Sequence, residues 1–451
     1  MSARSGDFES EYRVFFPEES SQEERLDVSE PLRLFGDEIL WNVVAGCSLA
    51  APVCRECSAR EYWETWARSS GNYYHDSSWN RVLSYEYALT VEPGKWPKDR
   101  RHNILVAPAS DLFHERVSDH FLDRVSSIMQ QHPQHTFYVV TKRVARMKSY
   151  LNGRAAGRLA EESRSDRTLR QLTWPLPNVR IGISCEDQPS YLARIVPLIE
   201  TKAESRFVII EPMLKPVRLD QVPLPGGDIL WPLTGVVQGY RGLNAEGKPE
   251  WDPVEHPRLT IEPIDWVVVG GFRGSVPRPM HPIWVRMVQV ACERAKVPFF
   301  FKGWGDYAPA KKPDLDGDAS LVIVSADGSM RGRGVGSATN YLARDSGGRV
   351  PDVYMSRQID PVERTMLAGK LLRNKPRPLK ARRVRLIDRS DLARMLHRLG
   401  DQAPATGPVT ARVEQQAGQA PGATQDDSRS LGDKMSETAA WVRDKLNTPL
   451  W

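Results

Sequence analysis

The sequence predicts an α/β fold: a partial or complete (β/α) barrel of parallel strands, then a small C-terminal β-hairpin region and a disordered tail. Three observations carry this. First, seven short runs rich in Val, Ile and Phe recur along residues 39–304. Second, helix-like amphipathic stretches lie between several of them. Third, the runs are apolar throughout rather than alternating, which marks strands covered on both faces, as parallel strands are. Strand–helix alternation of this kind builds a parallel sheet through right-handed crossovers. Seven such units over about 270 residues favour a barrel-like sheet over an open doubly wound one.

The seven runs are "ILWNVV" (39–44), "NILVAPAS" (103–110), "HTFYVVTK" (135–142), "VRIGISC" (179–185), "RFVIIEPM" (206–213), "DWVVVGG" (265–271) and "VPFFFKGW" (297–304). Helical periodicity follows in "SDHFLDRVSSIMQQH" (118–132), "PSYLARIVPLIET" (189–201, interrupted by Pro197) and "PIWVRMVQVACERAK" (282–296). The barrel unit is expected over 39–313, after an acidic N-terminal extension over 1–38. A long Pro- and Gly-rich insertion over 214–263 separates strands five and six. Residues 314–395 hold an expected hairpin, "SLVIVSADGSMRGRG", turning at Asp327-Gly328, and a basic segment. Within it, residues 370–389 carry nine Lys or Arg against a single acid, Asp388. Residues 396–451 are low-complexity and read as a disordered tail, with a short terminal helix beginning near Ser436.

The chain has five cysteines among 451 residues and a formal net charge of +5. An odd cysteine count in a chain this long does not read as a disulfide framework, so a reducing, cytoplasmic setting is expected. The start is polar and acidic, without the apolar core of a signal peptide, and no apolar run is long enough to span a membrane. A charge of +5 does not by itself call for a nucleic-acid partner. The basic stretch at 370–389 does suggest one, either as a phosphate-tracking arm or as an ordinary solvated face.

Chemistry gathers at the carboxyl ends of barrel strands, and there the runs end in polar groups. Strand one leads to Cys47, strand two to Ser110 and Asp111, and strand three to Thr141, Lys142 and Arg143. Strand four leads to Cys185, Glu186 and Asp187, strand five to Glu211, strand six to Gly270 and Gly271, and strand seven to Lys302 and Trp304. Lys142, Glu211 and Lys302 sit within apolar runs, so each must face a cleft or meet an opposite charge. His114 and Glu115 could form an acid–base pair or merely a capping arrangement.

The densest cluster is "GCSLAAPVCREC", where Cys47, Cys54 and Cys57 are spaced C-x6-C-x2-C. Clustered cysteines in a reducing setting more often hold a metal than sit as buried thiols without one. Zinc would need a fourth ligand; with no second C-x2-C or H-x3-H, it would come from Cys185, His75 or another distant histidine. An iron–sulfur cube held by three cysteines would leave one iron open to a small molecule. Both readings stand on spacing alone. The zinc reading leads to a non-catalytic, zinc-stabilised nucleic-acid-binding protein.

Taken in order, "WNVVAGCSLAAPVCRECSA", "SDLFHE", "VVTKR", "NVRIGISCEDQ", "RFVIIEPML", "IDWVVVGG" and "VPFFFKGWG" resemble a family of phage and prophage three-cysteine-motif proteins, itself similar to radical S-adenosylmethionine enzymes. Two positions depart from that family's pattern. Ser58 stands where it has an aromatic residue, and Phe272 in "GGFRG" stands where it has a carboxylate. The resemblance implies a 4Fe–4S cluster on Cys47, Cys54 and Cys57, with S-adenosylmethionine on the open iron. It implies cleavage to a 5′-deoxyadenosyl radical, with electrons from a donor partner. On strand position, Ser110, Asp111, Glu186, Gly270 and Gly271 are the expected cofactor-binding residues, and Lys142, Glu211 and Lys302 the expected catalytic ones. The phage context points to a base in DNA as substrate, or a nucleotide. Photoproduct-lyase-like repair is the enzymatic alternative.

Overall fold

A computed structural model describes residues 32–57, 59–60, 62, 82–84, 86–157, 169, 172–273, 278–310, 321–332 and 353–357. Seven strands form one parallel sheet: β1 (Ile39–Trp41), β2 (Asn103–Val106), β3 (Thr136–Thr141), β4 (Val179–Cys185), β5 (Ser205–Ile210), β6 (Trp266–Gly270) and β7 (Phe299–Gly303). Their order in the sheet is their order in the chain, and every adjacent pair is parallel. All seven coincide with the runs read from the sequence. Among the described residues β1 and β7 do not pair with each other, so the sheet is a half-barrel. A sheet without a reversal of strand order, joined by crossovers of one hand, carries its helices on one face and curls around the other.

The two faces have separate cores, assigned by the period-two alternation of strand side chains. Ile104, Val106, Phe137, Val139, Val208, Ile210, Val267, Val269, Phe299 and Phe301 join the large core on the convex, helix-covered side. Their neighbours Leu105, Tyr138, Phe207, Ile209, Trp266, Val268 and Phe300 form a second core on the concave side. The segment just before β1 closes that second core. Leu34 is buried in it, and Phe35 stacks on Trp266 at 5.2 Å and meets Tyr138 and Phe300 edge-on. Residues 32–38 are therefore part of the barrel unit, not of an N-terminal extension. The physical reason is that a half-barrel exposes an apolar concave wall which something must cover. The Glu38 carboxylate holds the segment's turn by accepting backbone N–H groups of Leu34, Phe35 and Gly36.

Gly182 on β4 makes room for this packing, because a Cβ there would lie 2.5 Å from the Phe207 ring. The crossover helices are α1 (Asp119–Gln131), α2 (Val144–Ala155), α3 (Gln188–Glu200) and α4 (Pro282–Ala295). Ser118 caps α1 by accepting from the Phe121 N–H. Asp187 and Ser190 form a reciprocal capping box on α3. A buried Arg154–Asp123 ion pair fastens α2 to α1, and the Tyr150 hydroxyl donates to the same carboxylate.

The 214–263 insertion is ordered into a four-stranded antiparallel sheet (222–223, 229–231, 236–238 and 259–260) and a hairpin pairing Tyr240–Leu243 with Pro249–Trp251. The C-terminal hairpin pairs Val322–Val324 with Met330–Gly332, and Gly328 supplies the positive φ at its turn. Two further strands, Tyr307–Pro309 and Val353–Arg357, complete that small sheet. The basic segment at 370–389, the tail from 396, residues 1–31 and Ser58 lie outside the described residues. No helix among the described residues is long and apolar enough to cross a membrane.

Candidate functional site

Continuing the concave-side alternation by two residues past Val140, Ile209, Val268 and Phe300 gives Lys142, Glu211, Gly270 and Lys302. Ser184 stands two beyond Gly182 on β4. These residues form one polar layer at the carboxyl ends of the strands. Except for Gly270, they line a cavity of about 230 Å³ together with Ser110, Asp111, Arg143, Gly271, Phe272 and Arg273. Cys47, Cys54 and Cys57 line the same cavity. The sequence-predicted site residues thus converge on one place, except that Gly270 and Glu186 do not line the cavity but adjoin Glu211 and Lys142, which do.

Two ion pairs organise the layer. Lys302 Nζ lies 2.8 Å from the Glu211 carboxylate, and the pair spans from β5 to β7 across β6. Gly270 permits this, because a Cβ there would lie 2.9 Å from the Glu211 carboxyl carbon. On the other side, Lys142 Nζ donates to Ser184 Oγ at 3.0 Å and to Glu186 Oε2 at 3.3 Å. Arg194 of α3 holds Glu186 from behind at 2.9 Å. Gly271 serves packing: the Trp304 carbonyl oxygen lies 1.8 Å from where its Cβ would be.

Asp111 is committed to the fold. Its oxygens accept from Thr141 Oγ1 (2.7 and 2.9 Å), the Phe113 N–H (3.0 Å), the Lys142 N–H (3.3 Å) and Arg143 Nη1 (3.1 Å). Four donor groups on one buried carboxylate leave little capacity for a ligand ammonium. Ser110 donates its hydroxyl to the Gly46 carbonyl, tying the end of β2 to the loop that enters Cys47.

Ser48 and His114 resemble a nucleophile and its base, with Oγ and Nε2 2.8 Å apart. The tautomer speaks against that use. His114 Nδ1 accepts the Arg116 backbone N–H at 3.1 Å, so the proton sits on Nε2 and the ring donates to Ser48. Burial, with Arg143 adding to it, lowers the His114 pKa and keeps the ring neutral. The Glu115 carboxylate, though 3.6 Å from Nδ1, is engaged by Arg143 Nε.

Cys54 lies in a 3₁₀ turn over Pro52–Glu56, and Cys57 follows as its C-terminal cap. Glu56 on that turn pairs with Arg278, whose guanidinium lies 5.5 Å from the Phe272 ring centroid. The cysteine loop is thereby held to the segment following β6. All three thiols are free and partly buried. Burial raises the Cys47 pKa to about 11, against the pull of Arg143, and raises that of Cys57. Both are thus neutral thiols near pH 7. Among the described residues no three His, Cys, Asp or Glu side chains are gathered closely enough to hold an ion. The donor set is nonetheless all sulfur, on one short loop, facing one cavity. It fits a soft, thiolate-held metal group whose binding releases protons and draws the loop together. Cys185 and Cys292 are not part of this set. Both are buried in the convex core, and burial raises the Cys185 pKa to about 12.

Residues 36–390 match the family described as "Protein of unknown function (DUF5131)". The chain belongs to that family. The matched span starts just before β1 and takes in the cysteine loop, all seven strands, the insertion and the C-terminal hairpin. No curated protein and no solved structure matches the chain.

Proposed function

We propose that this chain is a radical S-adenosylmethionine enzyme acting on a base in nucleic acid, with DNA the favoured polymer. The observation that carries the reading is the meeting of three free thiols, on the loop after β1, with a ring of paired charges at the strand ends of a parallel half-barrel. Cys47, Cys54 and Cys57 would hold a 4Fe–4S cluster and leave one iron for the amine and carboxylate of the cofactor. When bound, the cluster would supply the electron that splits the sulfonium into methionine and a 5′-deoxyadenosyl radical, which takes a hydrogen atom from the substrate.

The protein's own part is orientation and exclusion of water. Lys142 uses two of its three donors on Ser184 and Glu186, so among the described residues the third is available to a ligand carboxylate. Glu211 can accept from ribose hydroxyls while Lys302 holds it in place. The concave core of Leu34, Leu105 and Ile209 forms the dry floor beneath both. Phe272 lines the cavity, an aromatic residue of the kind on which a planar base can stack. The basic segment at 370–389 supports a polymeric substrate through phosphate contacts, and an electron-donor protein is the implied partner.

Metal analysis tests the reading. Protein purified without oxygen and reconstituted with iron and sulfide should contain about four of each per chain and be brown, as a cubane requires. Stoichiometric zinc with no iron uptake would instead establish the zinc-stabilised binding protein.

A further inference from the structure

Arg143 was not singled out by the sequence beyond its place in "TKR", yet its side chain joins four residues at the site: Cys47, Ser48, Asp111 and Glu115. Its guanidinium is buried and uses every donor. Nε faces both Glu115 oxygens at 3.1 Å, and Nη1 reaches Asp111 Oδ2 at 3.1 Å and Cys47 Sγ at 3.6 Å. Nη2 reaches the Ser48 carbonyl at 3.0 Å and Ser48 Oγ at 2.9 Å. A guanidinium has five N–H donors in a rigid fork, and here three are directed at the backbone and side chains of Cys47 and Ser48. Asp111 and Glu115 fix the fork from the other side, on the segment after β2. Arg143 therefore does more than balance charge, since it aims a cationic N–H at the sulfur of one particular cysteine.

We propose that Arg143 is a positioning residue that orients Cys47 and donates a charge-assisted hydrogen bond to its thiolate, raising the reduction potential of the group which that thiolate holds. The proposal rests on the iron–sulfur reading above. Hydrogen bonds to cluster sulfurs and nearby positive charge favour the reduced state, because reduction adds negative charge to the sulfurs. Of the three cysteines only Cys47 receives this contact among the described residues, so the effect is concentrated on one corner of the cluster. Lysine could keep the charge beside Asp111 but not the fork that serves Asp111, Ser48 and Cys47 together.

The test is an EPR-monitored redox titration of reconstituted wild-type protein and the Arg143→Lys variant, with iron content measured in both. The expected result is similar iron content and a more negative potential in the variant, by about 59 mV, a tenfold change for one electron. An Arg143 that served only folding would lower iron content or thermal stability and leave the potential of loaded protein unchanged; that outcome overturns the proposal. Should the variant fail to load, wild-type protein labelled with ¹⁵N-arginine gives a second reading. Pulsed EPR of its reduced cluster should show a coupling to guanidinium nitrogen, and its absence overturns the proposal. Failure of wild-type protein to take up iron defeats the proposal together with the iron–sulfur reading. Normal uptake with an unchanged potential defeats only the role of Arg143.

Discussion

Cys54→Ala should abolish iron uptake and all reductive cleavage of S-adenosylmethionine, while the half-barrel stays folded with an unfolding midpoint within a few degrees of wild type. The separation follows from where the residue sits. Cys54 lies in a 3₁₀ turn none of whose residues is buried, so removing one sulfur takes little from either core. A cube that loses one of three protein ligands loses the chelate that holds it. Cys185→Ser is the matched control, since that thiol faces the convex core with its Sγ toward the Ile209 carbonyl at 3.6 Å. It should cost about 1 kcal/mol of stability or somewhat more and leave iron content unchanged. Iron content and circular dichroism melts of both variants check the pair of outcomes.

The adjacent glycines at the end of β6 and just after it should fail in opposite ways. In Gly270→Ala the new methyl group would lie 2.9 Å from the Glu211 carboxyl group, a side-chain end that can swing aside. The expected loss is the Glu211–Lys302 pair. Activity should fall at least about tenfold, equivalent to about 1.4 kcal/mol, with stability lowered by about 1–3 kcal/mol, the usual cost of overpacking. In Gly271→Ala the methyl group would lie 1.8 Å from the Trp304 carbonyl oxygen, a backbone atom that cannot rotate away. The strand ends must separate, so stability should fall by more than about 3 kcal/mol or the protein should not accumulate as a folded chain. Denaturant unfolding of both variants, with turnover of the folded one, distinguishes the two phenotypes. Equal destabilisation of the two would contradict the assignment of Gly270 to the ion pair.

The strands were legible because a parallel strand buried on both faces leaves an uninterrupted apolar run, and "FVII" or "WVVV" admits few other readings. The site's location followed from the polar residues that end those runs. Partnerships were not legible, because they join residues far apart in the chain. Arg143 meets Cys47, Ser48, Asp111 and Glu115, and no local spacing connects them. The one available sign was an arginine just after β3, with an Asp and a Glu following β2. Asp111 illustrates the converse: strand position placed it in the site, but not the four donor groups that occupy it. Helix α2 escaped notice because "VARMKSYLNGRA" carries a weak apolar stripe, and its buried Arg154 is tolerated only beside Asp123. Residues 32–38 read as an extension because coverage of a concave face is a demand of the whole sheet, not of the segment.

The most direct test of the central claim is anaerobic incubation of reconstituted protein with S-adenosylmethionine and a strong reductant, followed by product analysis. The account predicts 5′-deoxyadenosine and methionine, formed slowly by the protein alone and faster when DNA carrying the susceptible base is added. S-adenosylhomocysteine as the sole product, or no turnover by protein carrying a full complement of iron and sulfide, would contradict it.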